Sequence, residues 1–244
     1  MTPRIVAHRG NSSVAPENTL AALVSAARAD AHMIEIDLQM TTDGVGVVFH
    51  DHPLGRTAAG TGLLRDLDSA AVAGLDVGSW FDPAFAGTAV PLLPEVLELL
   101  RRYESLGLLL EVSGPWKADA LARELATISD AGLAERVIVQ SFALESLEIS
   151  RDVAPSLQLG YLSATWGDSV MESCAQVDAQ WCNVNWDVIG ENPDVVEANR
   201  ERGLRTMAWT VNEPEKWAAA IDAGVDGIIT DRPDRLRGWL AARR

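Results

Sequence analysis

Residues 33–50 read Met33-Ile34-Glu35-Ile36-Asp37-Leu38-Gln39-Met40-Thr41-Thr42-Asp43-Gly44-Val45-Gly46-Val47-Val48-Phe49-His50. The opening of this stretch alternates, but with the pattern inverted for a protein interior. Glu35 and Asp37 leave one face of a strand, and the isoleucines leave the other. Isoleucines suit a face covered by helices, so the acids point toward the centre of the sheet. A second apolar run, 45–50, follows after only Thr42-Asp43-Gly44. That gap is too short for a parallel crossover, and Asp-Gly is a hairpin signal. Folding the hairpin about Asp43-Gly44 pairs Thr41 with Gly46, Gln39 with Val48 and Asp37 with His50.

Working outward, further short apolar runs lie at 4–7, 108–112, 137–141, 158–162, 182–186, 205–210 and 227–230. Helical stripes fall between most of them. Leu20, Leu23, Val24 and Ala27 make one, Val96, Leu99, Leu100 and Tyr103 another, and Ala118, Leu121, Ala122 and Leu125 a third. Alternating β and α means a parallel sheet covered by helices. Of nine strand candidates the run 45–50 is the antiparallel one. The other eight close a (β/α)8 TIM barrel, which takes about 250 residues; the chain has 244. The expected class is therefore α/β, with one barrel domain over 1–244. The glycine-rich stretch 51–90 is expected as an insertion over the barrel mouth, with no helix between His50 and Leu92.

Composition narrows the function. With 48% hydrophobic and 23% charged residues the chain is neither disordered nor a disulfide scaffold. The 35 acids against 20 bases, net −15, argue against a nucleic-acid or anionic-membrane footprint, which needs a basic face. A small anionic substrate stays open, because one pocket can reverse the local sign. Cys174 and Cys182 fit no zinc or CxxC spacing, and two thiols suit a reducing compartment. No apolar run reaches the length of a transmembrane segment and no secretory leader is evident, so the expected location is cytoplasmic. The oligomeric state is left open.

Barrel sites lie at the C-terminal strand ends. Standing there are His8-Arg9-Gly10, Glu35 and Asp37, His50-Asp51, and Glu111. Carboxylates facing a barrel interior are costly unless paired. Barrel arginines could pair with them; a divalent cation is the more economical partner. An all-oxygen set suits Mg²⁺ or Ca²⁺ better than zinc. His32 falls at the opposite end, in solvent, and His52 in the inserted segment, at the pocket rim or exposed. Most of the eight tryptophans read as packing residues, but Trp116, Trp166, Trp186 and Trp209 fall near strand ends and could form an aromatic rim.

Several blocks are familiar. Ala7-His8-Arg9-Gly10, Ala15-Pro16-Glu17-Asn18-Thr19, Glu35-Ile36-Asp37 and Val48-Phe49-His50-Asp51 resemble the glycerophosphodiester phosphodiesterase family. The resemblance runs on through Arg56-Thr57, Gly60-Thr61-Gly62, Gly78-Ser79-Trp80-Phe81, Pro91 with Glu95-Val96-Leu97, Gln140-Ser141-Phe142, Trp209-Thr210-Val211-Asn212 and Gly227-Ile228-Ile229-Thr230-Asp231-Arg232-Pro233. It implies a distorted barrel that hydrolyses glycerophosphodiesters, small-molecule substrates, to glycerol 3-phosphate and an alcohol with one divalent cation, Mg²⁺ or Ca²⁺. It implies that Glu35, Asp37 and Glu111 hold the cation and that His8 and His50 are general acid and base. Arg9 would grip the phosphate, Glu17 would orient Arg9, and Trp209 would lie against the glycerol carbons.

One departure touches the substrate. The family's usual Glu-x-Lys is here Glu111-Val112-Ser113, so Ser113 offers the phosphate one neutral hydrogen bond in place of a charge. Neutral bonds are worth about 0.5–1.5 kcal/mol and charge-assisted ones about 1.5–3. Lys117 is near in sequence, but an exposed helix-start lysine is the simpler reading of it. A lysophospholipase D-like activity on the same site is the alternative within this class, and a non-catalytic metal-binding barrel the alternative outside it. His50-Asp51-His52 also hints at an amidohydrolase, but no histidine follows His52 to complete such a ligand set.

Overall fold

The structure, a computed structural model, describes residues 2–243. Nine strands form one sheet: β1 (Arg4–Ala7), β2 (Met33–Met40), β3 (Gly46–Val48), β4 (Gly107–Val112), β5 (Val137–Ser141), β6 (Gln158–Ser163), β7 (Trp181–Asn185), β8 (Met207–Trp209) and β9 (Gly227–Thr230). Their order is β1-β9-β8-β7-β6-β5-β4-β2-β3, and an additional β1–β2 pairing closes the ring. Eight strands pair in parallel, and helices cover the outside: a (β/α)8 TIM barrel. Only β3 runs antiparallel. β4 occupies one edge of β2 as far as Leu38, whereas β1 pairs only with Met33 and Ile34. β3 therefore takes the edge that β1 has vacated.

The hairpin register differs from the expected one by a residue. Leu38 faces Val48, Gln39 faces Val47 and Met40 faces Gly46. The loop closes one position earlier, with the Thr41 N–H on the Val45 carbonyl (3.0 Å) and the Val45 N–H on Thr41 Oγ1 (3.0 Å). Three residues turn the chain, the last being Gly44 at φ 79°, a left-handed conformation that glycine adopts without a Cβ penalty.

Side-chain alternation builds two layers inside the barrel. Val6, Met33, Leu109, Ile138, Trp181, Met207 and Ile229 form an apolar plug. Two residues further along each chain stand His8, Glu35, Glu111, Gln140, Asn183, Trp209 and Asp231. The opposite faces of the strands, with Ile34, Ile36, Leu108 and Leu110 among them, join the core beneath the helices. Helix α1 (Leu20–Arg28) buries Ala22, Leu23 and Ala26 there and is capped by Thr19, whose hydroxyl accepts from the Ala22 N–H.

Segment 51–90 is not free of helix. A five-residue helix, α2 (Ser69–Ala73), lies in it, with Asp68 accepting from the Ala71 N–H at its start. The segment packs its own small core, Ala58, Leu64, Val72, Val77 and Val90, on Val47 and Phe49 of the hairpin. Among the described residues no helix is long and apolar enough to cross a membrane.

Gly10 tests how tightly the mouth is built. Its φ is +84°, and a Cβ there would sit 2.6 Å from the Ala22 carbonyl carbon of α1. Gly10→Ala is expected to cost about 2–4 kcal/mol, from overpacking and left-handed strain together. Gly203→Ala, also at positive φ but with open space around it, should cost only about 1 kcal/mol. Urea unfolding of the two variants checks the difference.

Candidate active site

Glu35 and Asp37 project from β2, and register places Glu111 of β4 beside Asp37. Carboxylate oxygens of the three lie within 4.8 Å of one another. Glu35 and Asp37 are each 1% exposed. Burial, then the charges of Asp37 and Glu111, push the Glu35 carboxyl well above the usual range. Burial and Asp37 push Glu111 up to about 8. Each acid has one close neutral donor: the Arg9 N–H to Glu35 Oε2 (2.9 Å), Asn18 Nδ2 to Asp37 Oδ2 (2.7 Å) and Ser113 Oγ to Glu111 Oε1 (2.9 Å). Arg9 is the nearby cation, with Nε 3.2 Å from Asp37 Oδ2, but its Nη1 is bound to Glu17 Oε1 at 2.7 Å. Three converging carboxylates thus face one shared guanidinium. An all-oxygen donor set with surplus negative charge fits a hard divalent cation.

Arg9 (φ 55°) and Gly10 (φ 84°) are consecutive left-handed residues. This bend turns the Arg9 backbone N–H onto Glu35, while the Arg9 side chain reaches Asp37 and Glu17. Glu17 is gripped a second time by Arg56 from segment 51–90, at 2.6 and 2.7 Å.

The two histidines are held alike. His8 Nδ1 lies 2.7 Å from Asp231 Oδ1, and His50 Nδ1 lies 3.0 Å from Asp51 Oδ1. Burial raises the Asp231 carboxyl, but bonds from His8, Asn212 and Ser12 overcome that and hold it down to about 2. Burial likewise opposes ionisation of Asp51, and Arg56 and His50 again win and lower it. An ionised carboxylate only accepts, so each Nδ1 carries the proton and each Nε2 is left for another partner. Both rings, with Arg9, Glu35, Glu111 and Trp209, line one cavity of about 270 Å³.

Asp231, Asn18 and Arg56 have no role in the sequence reading, although all three stand in the motif blocks quoted there. Asp231 lies 223 positions from His8; only closure of β9 on β1 joins them.

Ser113 is expected to serve the phosphate, but its hydroxyl hydrogen is engaged by Glu111. Lys117 is exposed, at the start of the helix Ala118–Asp130. Only part of the expected aromatic rim forms. Trp209 lines the cavity and Trp116 lines the adjoining one of about 450 Å³. Trp166 and Trp186 pack against the helical core instead. Phe142, 48% exposed and edge-on to Trp209 at 5.5 Å, supplies an aromatic face between the two cavities that is absent from the sequence reading. His52 is exposed at the rim of the larger cavity.

The Asp231 carboxyl, folded at about 2 against an ordinary 3.8, contributes stability that is present above about pH 4. That stability is lost as pH falls through about 2. Asp231→Asn should flatten this part of the acid limb when the melting temperature is followed from pH 5 to pH 2. An acid limb identical to the wild type would contradict the assignment.

Residues 8–235 match the family model described as the glycerophosphoryl diester phosphodiesterase family. The curated glycerophosphodiester phosphodiesterase of Caldanaerobacter subterraneus subsp. tengcongensis is 34% identical over 242 residues, 97% of each chain. A phosphodiesterase of Oleispira antarctica, solved with the product sn-glycerol-3-phosphate, is 26% identical with a TM-score of 0.87, covering 98% of this chain and 97% of that one. A glycerophosphodiester phosphodiesterase of Agrobacterium tumefaciens is 30% identical with a TM-score of 0.83, over 97% and 99%.

Proposed function

This chain belongs to the glycerophosphoryl diester phosphodiesterase family, and from that premise we propose that it hydrolyses glycerophosphodiesters to glycerol 3-phosphate and an alcohol. The observation that carries the reading is the pair of aspartate-held histidines facing one cavity with Arg9 and the carboxylate cluster.

The reaction sets three demands. The diester is anionic, so its phosphoryl oxygens need positive charge as the fifth bond to phosphorus develops. The attacking oxygen must lose a proton, and the departing alkoxide must gain one. Glu35, Asp37 and Glu111 would hold a divalent cation, Mg²⁺ or Ca²⁺, which supplies Lewis acidity when bound. Arg9 adds a guanidinium fork, aimed by Glu17. His8 and His50 take the two proton transfers. With Nδ1 on an aspartate, each presents Nε2 as base or, once protonated, as acid. Asp231 and Asp51 stabilise the protonated ring that each step creates. Trp209 offers an apolar face to the glycerol carbons.

Glycerol 3-phosphate release from a panel of glycerophosphodiesters tests the activity. It should require Mg²⁺ or Ca²⁺ and stop in excess EDTA; full turnover in EDTA would overturn the cation's role. His8→Ala and His50→Ala should each lower kcat by about 10²–10⁴ with metal affinity nearly intact. A p-nitrophenyl leaving group needs little proton donation, so it should rescue only the variant that lacks the acid. Near-native turnover by both variants on glycerophosphodiesters would remove the two-histidine mechanism.

A further inference from the structure

Gln140 is 2% exposed, yet it lines the 270 Å³ cavity. It stands opposite Glu111 in the β4–β5 register. Buried amides normally satisfy both of their ends, and this one satisfies one. The end that is bound can be identified from the bonds around it. The Met207 backbone N–H can only donate, and it points at Asn183 Oδ1 (3.1 Å). The other terminal atom of Asn183 is therefore its NH₂, which donates to Gln140 Oε1 at 2.9 Å. Polarity passes from Met207 through Asn183 to Gln140, and the Gln140 NH₂ is left toward the cavity with no acceptor among the described residues.

Apart from Glu111 and Thr210, the wall beside it is apolar. Leu162 and Ile229 have no polar side-chain atom, and the Trp209 indole N–H is already spent on the Asn183 carbonyl at 3.2 Å. An apolar patch of wall with one fixed donor, in a cavity whose charged residues are His8, Arg9, Glu35, His50 and Glu111, is suited to orienting the short hydroxylated carbon chain of a phosphate ester. We propose that Gln140 is a specificity residue: its Nε2–H donates to a hydroxyl of the glycerol moiety, and Asn183 is the positioning residue that fixes the direction of that donor. This rests on the glycerophosphodiester reading. It adds the means by which the pocket distinguishes a polyol phosphate from a plain alkyl phosphate.

Binding of glycerol 3-phosphate and of propyl phosphate separates the possibilities. The two share a phosphate and three carbons, and the second has no hydroxyl. Calorimetry on the full chain with Mg²⁺ or Ca²⁺ should show the wild type preferring glycerol 3-phosphate by about tenfold or more, the value of one good hydrogen bond. In Gln140→Met that preference should collapse toward unity, through weaker glycerol 3-phosphate binding. Equal weakening of both ligands would assign the donor to the phosphate and overturn the proposal, as would a retained preference. Should Gln140→Met fail to fold, Gln140→Asn, with the same polarity one methylene short, must lose the preference too. A wild type that binds both esters without preference overturns the proposal alone; one that binds neither overturns the glycerophosphodiester reading and this proposal with it.

Discussion

Three carboxylates held within 4.8 Å repel one another, and Glu35 and Asp37 among them have lost nearly all of their water. Neither cost can be met by the carboxylates themselves. The backbone around them is arranged to supply what neutral groups can: an amide from the left-handed Arg9, a carboxamide from Asn18 and a hydroxyl from Ser113. One guanidinium approaches, but it is divided between Asp37 and Glu17. The raised Glu35 and Glu111 carboxyls are the residue of that imbalance. The cluster stands at the C-terminal mouth of the barrel, and its surplus negative charge is what fits the divalent cation of the proposed function.

The plug beneath makes this possible. Period-two alternation sets an apolar residue under three of the site residues, Met33 under Glu35, Leu109 under Glu111 and Ile138 under Gln140. One strand pattern thus builds both the watertight floor and the polar layer above it. A one-residue slip in any of these strands would exchange the two faces.

That alternation is why so much was legible in the sequence. Met33–Leu38 carries its acids on a single face, and no covered parallel strand could tolerate them except toward a mouth that charges can reach. What escaped reading depended on contacts the chain makes only after folding. The hairpin register turns on the Thr41 hydroxyl closing its own loop. Helix α2 is five residues long and has no apolar stripe to reveal it. Asp231 acquires its partner from the far end of the chain. Trp166 and Trp186 sit near strand ends as expected, but their large faces are used against helices.

Segment 51–90 joins what the barrel alone would leave separate. Arg56 reaches Glu17 with both terminal nitrogens and Asp51 with Nε and Nη2. The result is a chain of alternating charge. Asp37 meets Arg9 at 3.2 Å, Arg9 meets Glu17 at 2.7 Å, Glu17 meets Arg56 at 2.6 Å, Arg56 meets Asp51 at 2.6 Å, and Asp51 meets His50 at 3.0 Å. Arg9, Glu17 and Arg56 each lie between opposite charges, so removing one of them leaves a partly buried neighbour uncompensated, which costs more than the pair was worth. Arg56 is the most exposed guanidinium of the series, at 47%, and it belongs to the segment built on its own small core. Placement of that segment therefore bears on the carboxylate cluster at one end of the chain and on His50 at the other. His8, held by Asp231, to which Ser12 and Asn212 donate in turn, stands outside it. The two histidines are alike in chemistry and unlike in what supports them, one resting on the closure of the barrel and the other on segment 51–90.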